Sequence, residues 1–168
     1  MGFDLSSLLN LYRAYLSYTG KKNVRADITL LLEGGDNVTF PVPPDNLPRI
    51  TTPQNNDTFN SVIGDVSIMG LLGLRSVEFE DFLLPSNTSN YSWARGDNGS
   101  DIINFINDNR QKGQPFRIII TKGDVTYLNM AVLIDDFDYY MDNQADYHMN
   151  AKFTEYRTFN QQTGGLET

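Results

Sequence analysis

The chain has 168 residues, 40% hydrophobic and 12% aromatic, which indicates a single folded domain with a proper hydrophobic core. It contains no cysteine, so disulfide scaffolds, thiolate zinc sites and cysteine nucleophiles are excluded. With a net charge of −8, the chain has too few cationic side chains to bind the phosphates of nucleic acid. No segment predicts a signal peptide or a membrane span.

An amphipathic helix is predicted over residues 1–20. Asp4 or Ser6 can cap its start and Gly20 is well placed to end it. Because this helix stands outside a β-rich remainder, we interpret it as a candidate docking helix for a neighbouring subunit, with packing on its own domain as the alternative. Its apolar stripe, at three- and four-residue spacing, consists of Leu5, Leu8, Leu9, Tyr12 and Leu16.

The β-rich part begins with a predicted strand over residues 24–32. A hairpin-type turn follows at 34–37, and apolar residues alternate on the return from 38 to 42. Prolines between residues 41 and 48 then interrupt the alternation, which indicates a sheet edge or an irregular connection.

Short strands are predicted next, at residues 49–55, 57–63 and 65–69, with glycines 64 and 70 between them. A stronger strand covers residues 76–83. Simple alternation along it predicts two faces, one with Val77, Phe79 and Asp81 and the other with Glu78, Glu80 and Phe82.

A polar loop over residues 85–99 precedes a second predicted helix, capped by Ser100 or Asp101 and ended by Gly113. Its apolar stripe consists of Ile102, Ile103, Phe105 and Ile106. After Pro115, residues 116–121 form a continuous apolar run typical of a strand covered on both faces. A turn at 122–124, long strands at 128–141 and 145–157 and a flexible tail at 159–168 complete the chain.

Aspartates are concentrated near the C-terminal strands, at positions 135, 136, 138, 142 and 146. Oxygen ligands at alternate positions can hold calcium or magnesium, but no glycine-centred calcium loop is present. On a strand, Asp136 and Asp138 share a face while Asp135 points away, unless a bulge intervenes. We therefore predict a solvated acidic sheet face, with no metal and no cofactor.

His148 is the single histidine, so any histidine general base must be this residue. It alternates with Tyr147 and Met149 and should face away from the core. No nucleophile motif accompanies it, so the sequence does not predict an enzyme.

The polar loop contains Tyr91 and Trp93, which are candidate contacts for a sugar or a protein partner. Anchoring the loop to the core is the alternative role. The loop also contains Arg-Gly-Asp at 95–97, a tripeptide known from cell adhesion, although three residues recur by chance too often to support that function.

Taken in order, the strongest segments form a series that covers about residues 27–157. It includes Gly113-Gln114-Pro115-Phe116-Arg117-Ile118-Ile119-Ile120-Thr121. The other segments are Val42-Pro43-Pro44 and residues 74–85, 102–109, 132–139 and 153–157. The series resembles the N-terminal, tail-tube-like domain of phage baseplate proteins that often carry a peptidoglycan-binding LysM domain. Since the chain stops soon after residue 157, we do not expect the LysM domain, and the helix at 1–20 is additional to the family pattern.

The resemblance implies a mainly β (α+β) fold over residues 24–158, with two packed, largely antiparallel sheets in a tail-tube-like sandwich or barrel and a flanking helix. It implies a structural virion protein that is assembled in the host bacterial cytoplasm and forms a ring, typically a hexamer. Such a ring joins the baseplate hub to the tail tube or tape-measure proteins, without a membrane and without enzyme activity. DNA passes through it without specific binding.

On this interpretation, Glu78, Glu80, Asp136 and Asp138 are candidates for an acidic lining of the ring lumen. One alternative is a carbohydrate- or receptor-binding β-sandwich that uses the loop of Tyr91 and Trp93. Another is a metal-assisted hydrolase built around the acidic cluster and His148.

Overall fold

The computed structural model describes residues 25–44, 46–160 and 165–167. One α-helix lies in this part of the chain, α1 (Gly99–Gln111), and a 3-10 turn spans Thr88–Asn90. The strands are β1 (Ala26–Leu32), β2 (Asn37–Thr39), β3 (Ile50–Thr51), β4 (Asp57–Ser61), β5 (Gly64–Ile68), β6 (Ser76–Leu84), β7 (Phe116–Lys122), β8 (Val125–Met141), β9 (Tyr147–Glu155), β10 (Thr158–Asn160) and β11 (Gly165–Glu167).

Seven strands form one antiparallel sheet in the order β2-β1-β7-β8-β9-β6-β3. Two antiparallel ribbons accompany it, β4-β5 and β10-β11. The predicted mainly β, antiparallel class is therefore confirmed, with a helix beside the sheet. Where two packed sheets were expected, the described residues form one large sheet and two small ribbons.

The large sheet curls around a shared core. Phe40, just after β2, lies with its ring centroid 5.5 Å from that of Phe82 and 6.1 Å from that of Phe79. Because β2 and β6 lie near opposite ends of the strand order, this contact requires a strongly coiled sheet. The apolar stripe of α1, including Ile102, Ile103 and Ile106, is buried in the same core.

β7 is buried on one face rather than on both, which corrects the prediction for residues 116–121. Phe116, Ile118 and Ile120 are buried, whereas Arg117 is exposed and Ile119 is half-buried. The strand pairs with β1 and β8 inside an antiparallel sheet, and such sheets commonly leave one face to solvent. The run of isoleucines therefore did not indicate a strand that is buried on both faces.

A bulge in β6 corrects the predicted faces of that strand. The register with β9 shifts between Phe79 and Phe82, and Asp81 adopts a φ of 47°. Because one extra residue reverses the alternation, Phe82 returns to the core face of Val77 and Phe79 with only 8% of its surface exposed. Asp81, predicted to share a face with Val77 and Phe79, is exposed.

Helix α1 starts two or three residues earlier than predicted, with Asn98 as the N-cap residue. A side chain on Gly99 would place its Cβ 2.5 Å from the carbonyl oxygen of Leu84, so only glycine allows the helix to begin this close to β6. Gly113, at a φ of 67°, follows the helix as predicted.

Glu155, at the end of β9, is a buried carboxylate. Its side chain is 1% exposed and accepts hydrogen bonds from Arg75 Nη2 and Arg157 Nη2, each at 2.6 Å. The backbone N–H of Arg75 donates a further bond at 3.0 Å. Burial raises the pKa of Glu155, but the bonds from the two arginines outweigh it and lower the pKa to about 2.

Candidate functional site

The outer face of β6, β9 and β8 is acidic and exposed, and we call it the acidic face. In the observed register Glu78 lies opposite Lys152, which lies opposite Asp136. Asp138 follows on the same face, opposite Asn150. The structure thus places Glu78, Asp136 and Asp138, three of the four predicted lining residues, on one side of the sheet.

The bulge in β6 adds to the acidic face. Glu80 and Asp81 are both exposed where the register with β9 shifts. Glu80, the fourth predicted lining residue, borders a groove together with Glu78 and Arg49. The acidic face therefore includes all four predicted residues and gains Asp81, which simple alternation had placed on the face of Val77 and Phe79.

A second bulge, in β8, brings Asp135 to the same side. The register with β9 shifts between Ile134 and Asp136, and Asp135 Oδ2 accepts a 2.5 Å hydrogen bond from Thr154 Oγ1. This is the exception that the sequence left open. As a result, adjacent aspartates lie on the acidic face instead of alternating.

Lys152 is the single lysine or arginine on these three strands. Its Nζ lies 2.9 Å from Glu78 Oε1, and that hydrogen bond raises the pKa of Lys152. Both side chains are well exposed, so the pair adds little to stability. Even with Arg49 at its border, the acidic face has six carboxylates and is therefore strongly negative.

His148 faces away from the core, as predicted, and lies between two carboxylates. Its Nδ1 is 2.8 Å from Asp81 Oδ1 and its Nε2 is 3.6 Å from Asp142 Oδ2. The Tyr140 ring stacks on the imidazole at 5.0 Å, and its hydroxyl donates a 2.7 Å bond to Asp81. That bond, more than the one from His148, lowers the pKa of Asp81 and raises the pKa of Tyr140.

Asn150 links the carboxylates across β9. Its Oδ1 accepts a 2.7 Å bond from the backbone N–H of Asp81, and its Nδ2 donates a 2.7 Å bond to Asp138. Sequence reasoning missed the contacts of Asn150 and the contact between His148 and Asp81. Asn150 is 12 residues from Asp138 and 69 from Asp81, and His148 is 67 residues from Asp81, so only strand register reveals these contacts.

The remaining aspartates of the predicted cluster, Asp142 and Asp146, stabilise a turn and a loop. Asp142 caps the β8–β9 turn, where the backbone N–H of Asp146 lowers the pKa of Asp142. Asp146 is buried and accepts bonds from the backbone and the hydroxyl of Ser86. Within residues 25–44, 46–160 and 165–167, no group of three histidine or acidic side chains is arranged to hold a metal ion.

Tyr91 and Trp93 have different roles. The Tyr91 hydroxyl donates to Asp146, a bond that raises the pKa of Tyr91 and anchors the loop. Trp93 contacts the Tyr91 ring at 5.0 Å but is 47% exposed. Arg25 holds the loop through hydrogen bonds to the carbonyl oxygens of Trp93 and Arg95. Tyr91 is thus an anchor, whereas Trp93 is accessible.

The Arg-Gly-Asp tripeptide packs against β2. Asp97 Oδ2 accepts a 2.7 Å bond from the backbone N–H of Thr39, and the Asp97 N–H donates to the Thr39 carbonyl oxygen at 3.0 Å. Gly96 adopts a φ of 103°, and a Cβ at this residue would lie only 2.6 Å from the Thr39 carbonyl oxygen. The Asp97 carboxylate therefore satisfies a backbone N–H at the edge of β2.

The candidate docking residues Leu5, Leu8, Leu9, Tyr12 and Leu16 lie outside the residues that the structure describes. In the part that it does describe, no helix is long and apolar enough to cross a membrane. The chain matches no known protein-family model and no curated protein.

Proposed function

We propose that this chain is a structural protein of a phage tail, a ring-forming adaptor or tube-initiation component between the baseplate hub and the tail tube. The observation that carries the proposal is the acidic face of β6, β9 and β8. The series of sequence segments that resembles phage tail baseplate proteins indicates the kind of assembly in which this face would lie. As an isolated feature, an acidic face would only favour solubility.

In a ring, a face that points inward is repeated around the lumen. A lumen lined by carboxylates repels DNA phosphates and so weakens non-specific binding of the genome to the ring during passage. Glu78, Glu80, Asp136 and Asp138 are exposed on that face, and Lys152 supplies the one opposing charge on the three strands. These features suit passage of DNA rather than binding.

The long strand β8 supplies an edge for contact between subunits. It pairs with β7 only as far as Val132, whereas its pairing with β9 continues to Met141. Among the described residues, no strand lies on the other side of residues 133–141. An unpaired edge of this length is suited to sheet extension by a neighbouring copy.

Reversing two charges tests the lumen. With Glu80→Lys and Asp136→Lys together, we expect rings to form as in the wild type because both side chains are exposed. DNA binding at low salt should rise by roughly tenfold or more. Negative-stain images with a six-fold view and a salt-dependent gel shift measure the two effects.

The matched control is Glu33→Lys with Asp124→Lys, which makes the same change in charge at exposed turns outside the acidic face. If the control raises DNA binding equally, total charge and not a lumen explains the effect. If phage that carry the Glu80 and Asp136 variants assemble and eject their genome normally, the acidic lining has no role.

The exposed Trp93 favours a second candidate function, binding of a glycan or receptor. Trp93 lies beside Pro43, Pro44 and Arg95 in a groove of about 810 Å³, and an exposed indole can stack on a sugar ring. Under this alternative, a stable monomer binds glycan fragments and Trp93→Ala abolishes binding in calorimetry. Tyr127→Ala, at another partly exposed aromatic residue, is the control. Rings without glycan binding would contradict the alternative.

A further inference from the structure

The β4-β5 ribbon is an amphipathic arm. Phe59 pairs with Val66 and Asp57 with Ile68, so these four side chains share one face. The opposite face carries Thr58, Asn60, Asp65 and Ser67. Phe59 is 49% exposed and Ile68 is 51% exposed. One face of the arm is therefore apolar and uncovered within the described structure.

The tip of the arm is apolar as well. Val62 and Ile63 connect the two strands and are fully exposed. Hairpin turns of this length favour asparagine and glycine, whereas here Gly64, at a φ of 119°, provides the backbone reversal. Two β-branched aliphatic residues have no turn-forming advantage at this position, so a contact with another surface best explains them.

The base of the arm has a defined geometry. Asn55 N–H donates to the Leu71 carbonyl oxygen at 3.1 Å, and the Gly73 N–H donates to the Pro53 carbonyl oxygen at 2.7 Å. A Cβ on Gly70 would overlap the carbonyl oxygen of Asn55. An isolated two-stranded ribbon is only marginally stable in water, so a closed base and an apolar face indicate an element that is completed by docking.

The Trp93 groove complements this face. Its apolar lining includes Pro43, Pro44, Leu47 and Trp93, and its basic lining includes Arg95 and Lys122. Arg25 also lines the groove, but its Nε is paired with Asp27 at 2.9 Å. Residues 54–74 contain two aspartates, Asp57 and Asp65, and no lysine or arginine. Asp57 is exposed on the apolar face of the arm, so its carboxylate could meet a cation on a docked surface. Apolar and charged features thus match in the same contact.

We propose that the apolar face of the arm of one copy docks in the Trp93 groove of a second copy. This inference rests on the ring proposed above and names a second contact between its subunits, in addition to the edge of β8. The arm and the groove are different surfaces, so the contact is heterologous and repeats from subunit to subunit. Such contacts close into rings when the rotation permits.

Engineered cysteines test the contact directly, since the chain has none of its own. Full-length Phe59→Cys protein is mixed with differently tagged Pro44→Cys protein and oxidised gently. We expect a disulfide-linked heterodimer at several-fold higher yield than from Asn60→Cys, on the polar face, with the same partner. Equal yields from the two pairs would overturn the proposal.

Charge reversal gives a second measurement on the same cross-linking pair. Asp57→Lys should lower the heterodimer yield about tenfold, because a cation then faces Lys122 and Arg95. Adding Lys122→Glu to the partner should restore the yield. Asp65→Lys, on the polar face, is the matched control and should change the yield little. A loss that is equal for Asp57→Lys and Asp65→Lys would overturn the assigned face.

The outcomes separate this contact from the proposed function. Six-fold rings that persist with Asp57→Lys would overturn the docking and leave the ring intact. A strong heterodimer in a protein that forms only open chains would support the docking and count against the tail ring. Capture of the arm by another tail protein, with no heterodimer between copies, would also overturn the docking.

Discussion

Replacing Phe153 by alanine is expected to lower the free energy of unfolding by about 3–5 kcal/mol, the range for a fully buried aromatic side chain. Phe153 has no exposed surface, and its ring meets that of Phe79 edge-on at 5.6 Å. β9 lies between β6 and β8, so neighbouring strands cannot collapse into the cavity without distorting the sheet. Urea unfolding followed by circular dichroism measures the loss.

Phe59→Ala is the matched control because it removes the same side chain from the exposed arm. In the monomer we expect a change within about 0.5 kcal/mol, as at other surface sites. A similar loss for Phe59→Ala and Phe153→Ala would contradict the assigned core.

Replacing Glu155 by glutamine is expected to lower the free energy of unfolding by about 3 kcal/mol at pH 7. The folded pKa of about 2 lies below the ordinary value of 4.5, and a difference of that size corresponds to about 3 kcal/mol by linkage. The substitution also leaves Arg75 and Arg157 without their carboxylate, which breaks a buried ion pair.

The effect depends on pH in a defined direction. Because the folded pKa is depressed, the stabilisation is fully present above about pH 4.5 and is lost as the pH falls towards about 2. The difference between wild type and Glu155→Gln should therefore shrink over that window in urea unfolding at several pH values. Glu80→Gln, at an exposed position, is the control. A difference that stays constant from pH 7 to pH 2 would show that charge is not the cause.

Alternation and turn chemistry predicted most of the individual strands. The glycines at 34–35 and 64 lie at the turns of the β1-β2 and β4-β5 hairpins, because glycine tolerates the backbone angles of a reversal. The stripe of α1 and its stop at Gly113 follow from local spacing and from the same property of glycine. Such features depend on neighbours in sequence, so the sequence was sufficient.

The candidate site was predicted only in part. The aspartates at 136 and 138 share a face by simple alternation. Asp81 and Asp135 join them only through bulges, which are decided by how β6 and β8 register against β9. The linking role of Asn150 likewise requires both neighbouring strands to be in place.

By itself, the sequence determined a mainly β, cysteine-free and acidic chain, the positions of its turns and the concentration of carboxylates near the C-terminus. Tertiary structure decided that the sheet curls until Phe40 meets Phe82, that Glu155 is buried between two arginines, and that the apolar arm stays uncovered. The physical reason is the separation in sequence between the residues that interact. Local spacing sets backbone preference and side-chain alternation, whereas register, burial and the pairing of charges depend on which distant strands come together.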